Sequence, residues 1–586
     1  MKYAIFVLVL GIACACRNDQ PATGNGDQPG SADSLFSAFE NSFIDAYWKQ
    51  NPSAAIYAGY GKYYDILKIP DAASVKSDVD FAKHYLDSLH GFNYASLSAN
   101  NKIDYRILEN QFNGTIWYSD TFKQQEWDPS VYNIGGECYE IINNSYAPLT
   151  ERLRTLSSHI AHSDAYYAAA INMIKQPTRE HADLAVKQNK GSLEVFGSML
   201  QDSVKASSLT EVEKDTLLQR AARTKQAIST YADALEKMLA DKNFAFRNFR
   251  IGDSLFNQKF KYDIVTDYSA KDIFDKAVAS KQYYHAQMFT ITKELWPKYF
   301  EGAAMPADTL QAIKMMIDKI ALNHASPEHL VDTINKQVND LKRFIIEKDL
   351  FAYDTTTPLK VRIMPAFMSG ATLASASLTG PYDKQGVAYY NISDLTKIPK
   401  AEAESDLREH NNYTLQILSI HEAMPGHDLQ GWYSNKSRSM VKAVFGNGAM
   451  IEGWAVYTQR MMLDNGWANN APEMWLMFYK WSLRECCNVI TDYGIQCLNY
   501  SKEDVVKMLK YEAFQEDAQI AEKYHRATIS QVQLCSYFTG ATEINALREA
   551  YHKKKGDAYS LKDFHEKFLS YGSAPVKYIG ALMLGE

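Results

Sequence analysis

From Ser34 to the C-terminus, apolar side chains return every third or fourth residue with polar residues between them. That is the helical period, in which residues i, i+3, i+4 and i+7 share one face. "SLFSAFENSFIDAYWKQ" sets Leu35, Phe36, Phe39, Phe43, Ile44 and Tyr47 on one stripe, and Asn51-Pro52 ends it. The pattern recurs near 150–176, 180–204, 208–241, 270–297, 308–322 and 328–348, then resumes from about 400 to the end. It is interrupted once. "LKVRI" (359–363) alternates, and "GVAYYNIS" (386–393) is β-branched and aromatic. The Gly-, Ser- and Ala-rich stretch between them reads as a loop. The pattern predicts a mainly α protein with one small β element of two strands. No shift of composition divides residues 34–586, so one domain is expected.

The N-terminus has a different texture. Lys2 precedes an apolar stretch, Ala4–Ile12, that is too short for a stable transmembrane helix. Small residues and cysteines follow, as in a bacterial lipoprotein signal. Cys14 and Cys16 are both candidates for lipidation; Cys16 is favoured, because Ala13 and Ala15 flank the approach and polar residues follow at once. Residues 1–16 are therefore expected to be a signal peptide and 17–33, almost devoid of residues to bury, a flexible tether. No later segment has eighteen uncharged apolar residues, so membrane contact is expected only through the lipid anchor. An exported lipoprotein of the bacterial cell envelope, in the periplasm or at the outer membrane, fits these features. A net charge of −7 gives no electrostatic footprint for nucleic acid. Cys138, Cys486, Cys487, Cys497 and Cys535 have neither zinc-ligand spacing nor an even count, and are expected to be buried thiols.

The chemistry is concentrated in "LSIHEAMPGHDLQGW" (418–432). It departs from the zinc-protease pattern H-E-x-x-H by delaying the second histidine two residues. In a regular helix His421 and His427 cannot share a metal, since six residues turn about 600°. The intervening residues remove the obstacle. Pro425 lacks the N–H that would bond back to the His421 carbonyl, and its ring crowds that carbonyl. Gly426 accepts backbone geometry that other residues resist. The turn is expected to open and carry His427 back toward His421. A third ligand is then needed, with a fourth position left for water. Glu452, in the apolar run "AMIEGWAVYTQRMM", supplies it from a neighbouring helix. A buried glutamate is costly unless paired or metal-bound. Glu422, next to a ligand but not one itself, is the expected general base.

"HEAMPGHDLQ" followed by "EGWAVY" resembles the bacterial domain-of-unknown-function 885 family, with its H-E-x-x-P-G-H-x-x-Q and E-G-W-A motifs. "NPSAAIYAG" (51–59), "GPYDKQGVAYYNIS" (380–393), "CSYFTGATEINALRE" (535–549) and "LKDFHEKFLSYGSAPV" (561–576) resemble further segments of it. That family is regarded as related to helical zinc peptidases such as angiotensin-converting enzyme and thimet oligopeptidase. The resemblance implies a zincin-like helical bundle with a deep cleft, the β element at its rim, and Zn2+ on His421, His427 and Glu452. It implies Tyr537 as donor to the oxyanion of a tetrahedral intermediate. His565 is a weaker catalytic candidate against simple packing, and Arg526 a candidate for a substrate carboxylate. The 386–393 strand is expected to hold an extended peptide along an exposed edge, with Tyr389 or Tyr390 and Asn391 lining the cleft; a packing hairpin is the alternative. Gln496 and the segment Gln531–Gln533 depart from the family pattern, which often has histidine and P-G-Q there.

The implied reaction is zinc-dependent hydrolysis of short peptides. Two rivals stand beside it: a non-catalytic lipoprotein that binds peptide or metal on the same scaffold, and a zinc hydrolase of another amide or ester. Nothing in the sequence selects the peptide, the end cleaved or the oligomeric state.

Overall fold

The computed structural model describes residues 31–585 apart from 353–358, 365–372, 383–386 and 438. Cys14, Cys16 and the tether up to residue 30 lie outside the described residues. The first helix, α1 (Ser31–Gln50), starts inside the segment read as tether. Asp33 explains the early start, since its carboxylate accepts from Ser98 N (2.9 Å) and Asn101 Nδ2 (2.8 Å). Phe36, Phe43, Ile44 and Trp48 of α1 are buried, whereas Leu35, assigned to the same stripe, is 66% exposed.

The protein is mainly α, as the periodicity predicts. Helices α2 (Glu211–Ala240) and α3 (Ala270–Tyr299) match their sequence patterns closely. Each begins with a capping box, Thr210 with Glu213 and Ser269 with Asp272, which satisfies N–H groups the first turn leaves free. The stretch read as one helix over 150–176 is instead two, Leu149–His159 and Ser163–Met173, joined by a 3-10 turn. α4 (Leu330–Glu347) lies over the helix that carries His421.

The β element has three strands, not two. β1 (Leu359–Ile363), β2 (Ala374–Ser377) and β3 (Ala388–Ile392) form a sheet in the order β1-β3-β2. β1 pairs parallel to β3 and β2 antiparallel to it, with Val361 and Ala376 both opposite Tyr390. β2 falls inside the stretch read as loop. β3, expected to be an exposed edge, is central, and β2 is the edge beside the helix that carries His421.

Six helices build the site: α5 (Thr414–Glu422), α6 (His427–Asn435), α7 (Gly448–Asp464), α8 (Pro472–Cys497), α9 (Asp517–Ile529) and α10 (Ser536–Lys555). α8 is buried along nearly its whole length and is surrounded by α3, α5, α7, α9 and α10. α7 and α10 touch backbone to backbone. A Cβ on Gly453 would sit 2.3 Å from the Gly540 carbonyl carbon, and one on Gly540 would sit 1.7 Å from Ala449 O. Only glycine permits this approach, which brings the helix of Glu452 against that of Tyr537. No described helix is long and apolar enough to cross a membrane. All five described cysteines are free, four of them buried.

Candidate metal centre

α5 ends at Glu422 and α6 starts at His427, so the two histidines sit on separate helices joined by a tight turn. The Met424–Pro425 bond is cis. Gly426 N donates to Ile420 O at 2.9 Å, reaching back six residues rather than four. The predicted opening of the turn is therefore present. Gly426 has φ −73° and ψ −124°, a pair outside the regular helical and extended regions, as expected of its permissive backbone. Space also forbids a side chain, since a Cβ there would lie 1.9 Å from His421 O and 2.4 Å from Ile420 O. Trp454, two residues past Glu452, donates its indole N–H to Pro425 O at 2.9 Å and so ties the turn to α7.

His421, His427 and Glu452 converge, with one possible ligand atom from each lying within 4.8 Å of the others. Both Nε2 atoms stand 3.5 Å from Glu452 Oε2. That is long for a hydrogen bond, and Oε2 is buried without a hydrogen-bond partner among the described residues. Ligands at about 2.1 Å around a tetrahedral zinc lie roughly 3.4 Å apart. Two nitrogens and a carboxylate oxygen at this spacing thus fit such an ion. The electrostatics agree: burial would raise Glu452, but the two imidazoles beside it hold it far below its ordinary value. Burial would lower His427, yet Glu452 outweighs it and the net shift is upward.

A residue not anticipated from the sequence orients His421. The Gln459 amide, one helical turn beyond Ala455 on α7, accepts from His421 Nδ1–H (3.0 Å) and from the Trp481 indole (3.2 Å), and donates to Glu485 (3.1 Å). This fixes the tautomer that turns the Nε2 lone pair toward Glu452. Its sequence signal was present: Glu452, Trp454 and Gln459 lie in one apolar helix where a lone glutamine has no other reason to be buried.

Glu422 lines a cavity of about 110 Å³ with His421, Tyr537, Arg526, Trp481 and the β2 residue Ala374. The backbone N–H of Ala376 donates to its carboxylate; burial raises its pKa, and His421 and His427 oppose the rise. Tyr537 lies with its ring nearly parallel to that of His421, centroids 6.3 Å apart. Its hydroxyl accepts from Arg526 Nη2 at 2.9 Å. Burial, ahead of the nearby Glu452, raises that phenol. The turn leading into α10 is held by Asp492, whose carboxylate accepts from the N–H groups of Val532 and Leu534. Burial lifts it to about 7.

Three candidate residues do not line this cavity, although the Glu422 charge reaches the buried Tyr390 hydroxyl. Tyr390 and Asn391 are fully buried on the central strand and do not line this cavity. Asn391 is spent within the sheet, accepting from Arg362 Nε (2.7 Å) and donating to Ser377 Oγ (2.8 Å). The exposed-edge expectation is therefore corrected: the available edge belongs to β2. His565 is also outside the cavity. Its Nδ1 bonds Leu350 O (3.2 Å), its Nε2 bonds Tyr457 OH (2.8 Å), and its ring stacks on Phe351. Burial lowers it to about 3, so it is a neutral core histidine. Gln496 joins two backbone segments, accepting from Ile251 N and donating to Ala527 O. Its departure from the family pattern therefore lies outside the cavity.

The family model described as "Bacterial protein of unknown function (DUF885)" matches residues 52–583. The chain belongs to this family. A solved structure described as "a putative lipoprotein of unknown function from Shewanella oneidensis" is 44% identical, with a TM-score of 0.85 over 94% of this chain and 99% of that one. A second, "the putative lipoprotein from Colwellia psychrerythraea", shares the fold at 15% identity, with a TM-score of 0.77 and the same coverage. No curated protein matches the chain.

Proposed function

We propose that this DUF885 protein is a zinc-dependent hydrolase of peptide bonds in short peptides. The observation that carries the reading is the convergence of His421, His427 and Glu452 around a buried, unsatisfied carboxylate oxygen, with Glu422 in the adjoining cavity. An ion held there would supply Lewis-acid polarisation of a carbonyl and acidify a water. Glu422 would serve as the base that holds a proton from such a water and as the acid that delivers it to the leaving amine. The Ala376 N–H fixes one Glu422 oxygen and leaves the other for this transfer. Tyr537 accepts from Arg526, so its own proton is available to the oxyanion. A cavity of about 110 Å³ between packed helices admits an extended chain end and excludes a folded protein.

An envelope location, anchored through Cys16, is part of the proposal. It is supported by the N-terminal sequence and by the lipoprotein description of a 44% identical relative. Incorporation of labelled fatty acid should be lost in Cys16→Ala.

The deciding experiment screens a peptide library and acylated amino acids with the zinc-loaded protein and with Glu422→Gln. Peptide hydrolysis by the wild type, lost in the variant while zinc is retained, supports the reading. Cleavage of acylated amino acids alone would reassign the substrate. Unchanged peptide binding in Glu422→Gln with no turnover in either protein would make the chain a binding lipoprotein.

A further inference from the structure

The metal-bearing helix forms one wall of the cavity. The facing wall, from α8 and α9, carries Arg484, Lys523 and Arg526. On α9, Gln519, Lys523 and Arg526 follow at intervals of four and three, a single helical face. On α8, Trp481, Arg484, Glu485 and Asn488 form the matching stripe.

These cations are held by neutral oxygens. The buried Lys523 ammonium donates to Asn488 Oδ1. Arg526 Nη2 donates to Gln533 Oε1 (2.7 Å) and to Tyr537 OH (2.9 Å). Arg484 Nη1 donates to Gln519 Oε1 (3.0 Å), and its nearest carboxylate, Glu409, is 4.0 Å away and already paired with Lys480 at 2.7 Å. Glu485, in the same wall, is engaged by Gln459 and faces Lys523 and Arg484 from beyond ion-pair distance, and burial lifts its carboxyl to about 8 against their pull. Among the described residues no carboxylate stands within ion-pair distance of Lys523 or Arg526. Proteins seldom bury a lysine without an anion, because its desolvation goes uncompensated. Here burial, with Arg484 and Arg526 adding to it, holds Lys523 well below its ordinary pKa. An arriving anion would relieve all three groups together.

We propose that Lys523, with Arg484 and Arg526, seats a carboxylate of the substrate, so that the preferred peptides present a carboxylate close to the bond held at His421, His427 and Glu452. The identity of the ligand as substrate rests on the peptidase reading; the anion seat itself does not. The carboxylate is either the free C-terminus or an Asp or Glu side chain.

The test measures binding by calorimetry to the Glu422→Gln protein, which leaves the ligand intact. The probes are one tetrapeptide as free acid, its C-terminal amide, and the amide with a terminal Glu in place of Gln. The free acid should bind at least about 10-fold more tightly than the amide. If the Glu-containing amide matches the free acid, the seat takes side-chain carboxylates; if it matches the Gln amide, the seat is specific for the C-terminus. Lys523→Met should collapse the acid-to-amide ratio toward unity. If that variant does not fold, Arg484→Gln should reduce the same ratio. Equal affinity for acid and amide in the unmodified wall would overturn the proposal, as would a ratio unmoved by either variant. A persistent ratio in a protein that hydrolyses no peptide would remove the peptidase reading and leave the anion seat standing. Hydrolysis without discrimination would do the reverse.

Discussion

Replacing Gly426 by alanine tests whether the proline-glycine turn is what delivers His427. The added Cβ would begin 1.9 Å from His421 O, 2.4 Å from Ile420 O and 2.6 Å from the His421 carbonyl carbon. All three atoms are main chain of α5, so no side chain can swing aside. Restoring ordinary van der Waals separation requires the turn to move by roughly 1.5 Å. The movement breaks the Gly426 N to Ile420 O bond, worth about 1 kcal/mol, and crowding adds about 1–3 kcal/mol. His427 is the next residue, so the ligand moves with the turn. Zinc affinity should fall by more than the roughly 10–100-fold that losing an outer-shell partner costs. The assay is chelator competition for zinc, with thermal unfolding in parallel. Gly448→Ala is the control: a Cβ there meets nothing within 4 Å, so affinity should not change. If Gly426→Ala keeps wild-type zinc affinity and stability, close approach is not the reason for glycine, and the account of the turn is wrong.

Other consequences follow from the same contacts. Gln459→Leu frees His421 Nδ1 and leaves Glu485 without its amide donor, and should weaken zinc binding about 10–100-fold in the same competition assay. Trp454→Phe keeps most of the ring but loses the bond to Pro425 O; an unfolding titration should show a loss of about 1–3 kcal/mol. His565 has a folded pKa lowered to about 3, so the unfolded chain binds the extra proton between there and about 6.5. Its contribution is full above about pH 6.5 and falls as the pH drops toward 3, amounting to about 2 kcal/mol between pH 7 and 5. His565→Gln should flatten that slope in denaturant unfolding and leave peptide hydrolysis intact; loss of hydrolysis in a folded variant would return His565 to the catalytic candidates.

The helical architecture was legible because its period is local and repeated, and the convergence of His421 with His427 because a displaced histidine came with the two residues able to compensate. β2 was not. "ASAS" has no β-branched or aromatic residue, and its pairing with Tyr389–Ile392 lies across a long connection that no local pattern encodes. The central position of β3 followed from that omission, and with it the misplacement of Tyr390 and Asn391. His565 sits in a motif, but only the structure shows both its nitrogens engaged. The cationic wall needed two helices brought together by the fold, and Arg484, Glu485 and Asn488 are only some of the polar residues that the mostly buried α8 carries.

The most direct measurement is the zinc content of the purified protein, by atomic emission, for wild type and His427→Ala after equal exposure to the metal. The proposed centre predicts about one equivalent in the wild type and close to none in the variant. Equal zinc in two folded proteins would contradict it.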